Sequence, residues 1–189
     1  MNESNEWGQV YILECISQYD ASDSKECENC IERVLPRLSH ANPAVALGAV
    51  KVVLKFMDYV SNADAMRNYN KKVAAALVTL LSAEPEIQYI ALRNVNFILQ
   101  KKSTIFEKNV KVFFCKYNDP IYVKTEKIDI LVKVAEASNV DVILGELKEY
   151  SNDIDQELVR QSVKAIGHVA IKVDRAAKKS IEVISGILQ

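Results

Sequence analysis

Apolar residues recur at intervals of three and four along nearly the whole chain, and this beat restricts it to packed amphipathic helices. The clearest run is Ile87, Ile90, Ala91, Val95 and Ile98. A second is Leu47, Val50, Leu54 and Met57, with Val45, Ala49, Val52 and Phe56 forming another apolar face beside it. Only Lys51, Lys55 and Asp58 make a polar stripe there, so neighbours are expected to cover that helix on most sides. No segment alternates at period two for long enough to form a strand. The 189 residues hold only 5 Gly and 4 Pro. A sandwich or barrel needs a turn signal roughly every 8–12 residues, which so few breakers cannot supply. With 49% hydrophobic and 26% charged residues the chain is globular, not disordered.

The breaks are regularly placed. Pro43, Pro85 and Pro120 each follow a polar residue and precede an apolar-periodic run, as Pro does at the first position of a helix. Asn42 and Asp119 are expected to cap the free N–H groups, and Glu84 is a poorer cap. The predicted helices cover 6–19, 24–38, 43–60, 69–82, 85–101, 104–117, 120–137, 140–151, 155–172 and 174–188. Aligning the helices that follow the polar-Pro breaks, together with the one near Asp155, puts Val50, Leu92, Ile128 and Val163 in one column. Their separations are 42, 36 and 35 residues, and the adjoining column reads Lys51, Arg93, Asp129, Lys164. Helical-hairpin repeats of the HEAT or armadillo type have such a period, roughly 40 residues. A lone hairpin cannot bury its apolar face, so hairpins stack and share one core. The expected fold is an all-α, HEAT/armadillo-like α-solenoid; an ordinary helical bundle with chance spacing is the alternative. Within the solenoid an Asp at the start of the second helix would cap it. A basic residue about five positions on would reach the Asp of the next repeat, and such pairs would form a ladder.

Residues 1–5 read as a flexible end and 6–189 as about four to five repeats. Neither terminal helix has the polar outer face of a capping repeat: Trp7, Val10, Tyr11 and Leu13 begin the chain, and Ile181, Val183, Ile184, Ile187 and Leu188 end it. Both are expected to be half-buried, as in a segment of a longer superhelix.

Reactive constellations are missing. The glycines Gly8, Gly48, Gly145, Gly167 and Gly186 are isolated, so there is no phosphate loop. His40 and His168 are the only imidazoles; His40 lies in the turn before Pro43, and His168 lies inside a helix. Cys27 and Cys30 have a metal-like spacing without the second pair a zinc site needs, and they fit an apolar stripe with Ile31, Val34, Leu35 and Leu38. They read as reduced, packed cysteines of a reducing compartment. No enzyme activity, cofactor or small-molecule substrate is expected. A net charge of −1 argues against a general nucleic-acid binder. The clusters Lys71-Lys72, Lys101-Lys102 and Arg175 with Lys178-Lys179 read as helix-end charges, or as weak attraction to anionic headgroups.

Several stretches resemble the trunk of beta-adaptin, the large subunit of clathrin adaptor complexes. They are Glu6-Trp7-Gly8-Gln9-Val10-Tyr11-Ile12-Leu13, Pro36-Arg37-Leu38-Ser39-His40-Ala41-Asn42, Leu77 to Glu86, Gln88 to Asn94, Val112 to Lys124, and Gly145 to Tyr150. Lys116-Tyr117-Asn118-Asp119-Pro120-Ile121-Tyr122-Val123-Lys124 is the most specific of them. Asp20 to Asn29 and Val60 to Asn70 depart from the family. The resemblance is to the middle of the trunk. It implies a non-enzymatic scaffold that holds a second large, a medium and a small subunit on the cytosolic face of trans-Golgi, endosomal or plasma membranes, for cargo sorting into clathrin-coated vesicles. Clathrin contacts would lie in C-terminal regions beyond this segment. The resemblance also implies that the second helix of each pair lines the concave surface. Lys51, Arg93, Lys124 and Arg160 are then candidates for contact with partner subunits, and pairing within the solenoid is the competing role for the same four. Other HEAT scaffolds compete with this reading: a coatomer large subunit, a nuclear transport receptor or a phosphatase scaffold. Transport receptors should carry acidic inner helices, whereas this column is mostly basic, and a phosphatase scaffold should have more uniform repeats.

Overall fold

The computed structural model describes residues 4–101 and 103–187. Among them there are nine α-helices and no strand. Residues 1–3 of the expected flexible end, Lys102 and Leu188 lie outside the described residues. The chain divides into two compact units, one ending at Ser82 and the other beginning at Ala83.

The first unit holds α1 (Glu6–Gln18), α2 (Ser24–Val34), a 3-10 segment (Leu35–Ser39), α3 (Pro43–Met57) and α4 (Ala63–Leu80). Each helix start has a short polar cap, which is why the breaks fall where they do. Asn5 accepts from the Gly8 N–H, Asp23 from that of Glu26, Asn42 from that of Ala44, and Asn62 from those of Asp64 and Ala65. Helix α3 packs against α1, α2, the 3-10 segment and α4, and buries Val45, Ala49, Val52 and Phe56 as well as Val50 and Met57. That is the many-sided burial its narrow polar stripe predicts. Gly48 lets α1 approach, because a Cβ there would sit 3.3 Å from the Leu13 side chain. Cys27, Ile31, Val34 and Leu38 are buried on the stripe read for them. Helix α1 buries Leu13 and leaves Trp7 and Tyr11 exposed.

The second unit holds α5 (Pro85–Lys101), a 3-10 stretch (Ser103–Phe113), α6 (Ile121–Val134), α7 (Val140–Tyr150), α8 (Gln156–Lys172), a short 3-10 turn (Asp174–Ala176) and α9 (Ala177–Ile187). Helices α5, α6 and α8 pack side by side as one layer. The 3-10 stretch packs on α6, and α7 and α9 pack on α8, forming the second layer. Polar contacts within each unit repeat with the predicted period. Lys51 reaches Glu14 across 37 residues, Lys55 reaches Asp20 across 35, Lys133 reaches Asn96 across 37 and Lys179 reaches Asp141 across 38. Contacts between equivalent elements at a nearly constant separation are what stacked hairpins require.

Several sequence expectations are corrected. Helix α4 begins at Ala63, six residues before the predicted 69, because Asn62 caps it. The segment predicted as a helix over 104–117 is 3-10 from Ser103 to Phe113, with non-helical backbone at Asn109. Asp119 does not cap α6. Pro120, with φ −60° and ψ 155°, occupies the cap position without a side-chain bond, and Asp119 turns inward instead. Asp155 does cap α8, accepting from the Glu157 and Leu158 N–H groups.

Candidate protein-binding face

The predicted contact residues lie on the layer formed by α1 and α3 in the first unit, and on the layer of α5, α6 and α8 in the second. Lys51 projects from α3 with its Nζ 2.8 Å from both carboxylate oxygens of Glu14 on α1. That bond, with a lesser one from Gln18, holds the Glu14 carboxyl below its usual range. In the second unit Arg93 NH1 lies 3.1 Å from Glu126 Oε1, while Asn96 Nδ2 donates to Glu126 Oε2 at 2.6 Å. Lys133 Nζ donates to Asn96 Oδ1 at 2.8 Å, so four residues tie α5 to α6. Glu126 and Asn96 are buried, which makes this network part of the framework.

Lys51 and Arg93 therefore serve the ladder within the repeats. Lys124 on α6 is partly buried and Arg160 on α8 is exposed, and neither makes an ion pair among the described residues. Each of the four stands on its own helix, Lys51 on α3 in the first unit and Arg93, Lys124 and Arg160 on α5, α6 and α8 in the second. The Asp predicted as their partner in the next repeat is replaced by Glu14 and Glu126.

Two features of this face were missed from sequence. Ile90, read as core, is 49% exposed, and Phe97 is 57% exposed on the same stripe as Arg93. The signal was the spacing of four and then three residues from Glu86 to Ile90 to Arg93, which mixes charge with the apolar beat. The second is the place of Asp129 on this face: it shares the aligned column with Lys51 and Arg93 without being a contact candidate, and it is exposed on α6 within reach of the charges of Glu126, Lys133, His168 and Arg93. Desolvation, then the Glu126 charge, pushes its carboxyl up although Lys133, His168 and Arg93 oppose the shift. The face thus offers charge of both signs beside exposed apolar side chains, a composition suited to a protein surface.

Beneath the start of α6 lies a buried polar cluster. Lys127 Nζ is 2.6 Å from Asp119 Oδ2, with the two side chains 1% and 8% exposed. Asp119 also accepts from the Lys116 N–H. The Tyr150 hydroxyl accepts from the Cys115 N–H at 2.8 Å and donates to Glu146 at 3.0 Å. Burial pushes the Cys115 thiol up to about 12 and the Tyr150 hydroxyl well above its usual range. Of the imidazoles, His40 accepts from the Asn42 N–H through Nδ1, and His168 is exposed on α8. Among the described residues no group of three or more His, Cys, Asp or Glu could hold a metal ion. No described helix is long and apolar enough to cross a membrane.

The family described as the adaptin N-terminal region matches residues 1–189. The chain belongs to that family. It is 53% identical over 189 residues to the AP-1 complex subunit beta of Dictyostelium discoideum, covering all of this chain and 20% of that relative. It is 50% identical over 190 residues to the human AP-1 complex subunit beta-1, again 20% of that relative. The AP-2 complex subunit beta of Schizosaccharomyces pombe is 42% identical over 183 residues, 96% of this chain and 27% of that relative. The chain thus spans about a fifth to a quarter of the length of the curated relatives it matches. As a beta-adaptin N-terminal region it has the HEAT/armadillo-like helical organisation its repeat spacing predicts. Its most specific adaptin stretch, Lys116 to Lys124, supplies Asp119 to the buried cluster, and Cys115 immediately precedes it.

Proposed function

We propose that this adaptin region is part of a non-enzymatic scaffold subunit of a clathrin adaptor complex. It holds a second large, a medium and a small subunit for cargo sorting in vesicle-mediated protein transport. The complex acts at the cytosolic face of trans-Golgi, endosomal or plasma membranes, and clathrin is engaged through regions outside this segment. The identity to AP-1 and AP-2 beta subunits along the whole chain carries the reading. The α5–α6–α8 layer supports it physically, since the Arg93–Glu126–Asn96–Lys133 network ties α5 to α6, while Lys124 and Arg160 make no ion pair among the described residues and Ile90 is half exposed.

On this reading Lys124 and Arg160 contact partner subunits, whereas Lys51 and Arg93 combine a ladder role with contact. Charge reversal in the full-length protein separates the two roles. Lys124→Glu with Arg160→Glu should reduce the partner subunits recovered with it while the melting temperature stays put. Arg93→Glu should lower both. If Arg93→Glu lowers stability and assembly is unchanged, Arg93 is a ladder residue only.

A further inference from the structure

The first unit is not closed evenly around α3. Helix α3 is covered by α1, α2 and α4, and the 3-10 segment Leu35–Ser39 packs against both α2 and α4. Pro36 at the start of that segment ends α2 early, and a trough of about 840 Å3 opens between the segment and α4. It runs along α4 from Ala65 to Leu80, which is about 22 Å at the helical rise. That length matches about six or seven residues of extended chain, more than a small metabolite spans.

The lining explains why the trough stays open. Helix α4 turns Ala65, Ala75, Ala76 and Thr79 toward it, where leucine-sized side chains would have closed the gap. Leu35, Leu38 and Leu80 complete an apolar floor. The rim is polar and uneven. Glu32 stands beside Tyr69, whose hydroxyl is held above its usual range by burial and by the carboxylates of Glu32 and Glu28. Lys72, one turn further along α4, and His40 also line the trough. Among the described residues Lys72 and Glu32 form no ion pair, with each other or elsewhere. His40 spends Nδ1 as acceptor of the Asn42 N–H, which leaves Nε2–H as a donor.

We propose that this trough docks a short segment of a partner protein, one that lays aliphatic side chains on the alanine floor and sets a carboxylate against Lys72 and His40. The site is separate from the face assigned to partner subunits, and it does not depend on that assignment. Glu32 gives the site a direction, because it repels a second carboxylate at the Tyr69 end. The apolar floor supplies area, and the two cationic or donor groups supply selectivity.

A random 12-residue peptide display library panned on the whole chain tests this, with counter-selection on Ala75→Trp, which fills the trough from an exposed position. Enriched peptides should carry Asp or Glu within a few positions of Leu, Ile, Val or Met, and should be lost on Ala75→Trp. Lys72→Glu should weaken them by about tenfold, the loss of one charge-assisted contact, and a peptide with its acidic residue changed to Lys should recover the affinity. Circular dichroism melts of both variants must match the parent chain. The proposal is overturned if no peptide depends on the trough, or if enrichment ignores acidic residues. It is also overturned if sedimentation shows a dimer of this chain that Ala75→Trp dissolves, since the trough would then seat a second copy.

Discussion

Replacing Asp119 by Asn keeps the shape and the acceptor oxygen but leaves the Lys127 ammonium buried without a counter-charge. The separation is 2.6 Å, and the side chains are 1% and 8% exposed. At an effective dielectric of about 20 the direct attraction is about 6 kcal/mol, and dehydration of both ions offsets part of it. Breaking one side of such a pair costs about 3–5 kcal/mol, since the remaining charge is stranded. The amide oxygen can still accept from the Lys116 N–H and from Lys127, so about 3 kcal/mol is expected for Asp119→Asn. Lys127→Met strands the carboxylate instead. The double variant removes both charges and should cost clearly less than the sum, with a coupling of about 2 kcal/mol or more. Urea unfolding followed by circular dichroism on the four chains of this cycle gives the coupling directly. A cost under about 1 kcal/mol for Asp119→Asn, or additive single changes, would refute the claim that this pair holds the start of α6 in place.

Three further outcomes follow from the same geometry. A Cβ at Gly145 or Gly167 meets nothing within 4 Å, so Ala at either site should stabilise the chain by about 0.5–1 kcal/mol through helix propensity. Gly48→Ala should fall short of that gain, because its Cβ presses on Leu13; equal gains at all three in thermal melts would contradict the close approach of α1 and α3. Iodoacetamide at neutral to mildly alkaline pH should modify exposed Cys15 first and Cys115 last, since the Cys115 thiol ionises only near 12. Mass spectrometry that finds Cys115 labelled as fast as Cys15 would show that site to be open. Glu14 and Asp141 are depressed mainly by bonds from Lys51 and Lys179. Their contribution is complete above the ordinary values of 4.5 and 3.8 and is lost as pH falls below them. Lys51→Gln with Lys179→Gln should therefore flatten the decline of melting temperature with acid; an unchanged slope would mean the ladder pairs contribute nothing.

The parts of the fold visible in sequence are those set by local chemistry and by the helical beat. Helix α5 runs from Pro85 to Lys101 as predicted, and Val50, Leu92 and Ile128 of the aligned column are all buried. The N-terminal half of α4 is hidden in the sequence because Asp64, Arg67 and Asn68 break the apolar beat, although Asn62 is a good cap. The 3-10 stretch carries apolar residues at helical spacing, and periodicity alone does not separate 3-10 from α backbone over eleven residues. Asp119 was misassigned by one position: with Pro120 at the cap instead of inside α6, the side chain that would have capped reaches Lys127. Lys127 had left a trace, since it stands on the Val123–Lys127–Leu131 row where only apolar residues belong. The candidate contact residues were found as positions, but whether a basic side chain is tied up depends on partners some 35 residues away. That pairing satisfies Lys51 and Arg93 and leaves Lys124 and Arg160 open.

The scaffold assignment is tested most directly by affinity capture of the full-length protein from its own cells, with the bound chains identified by mass spectrometry. A scaffold subunit should bring down a second large, a medium and a small adaptor subunit in comparable amounts. Recovery of the protein without a medium and a small adaptor subunit would contradict it.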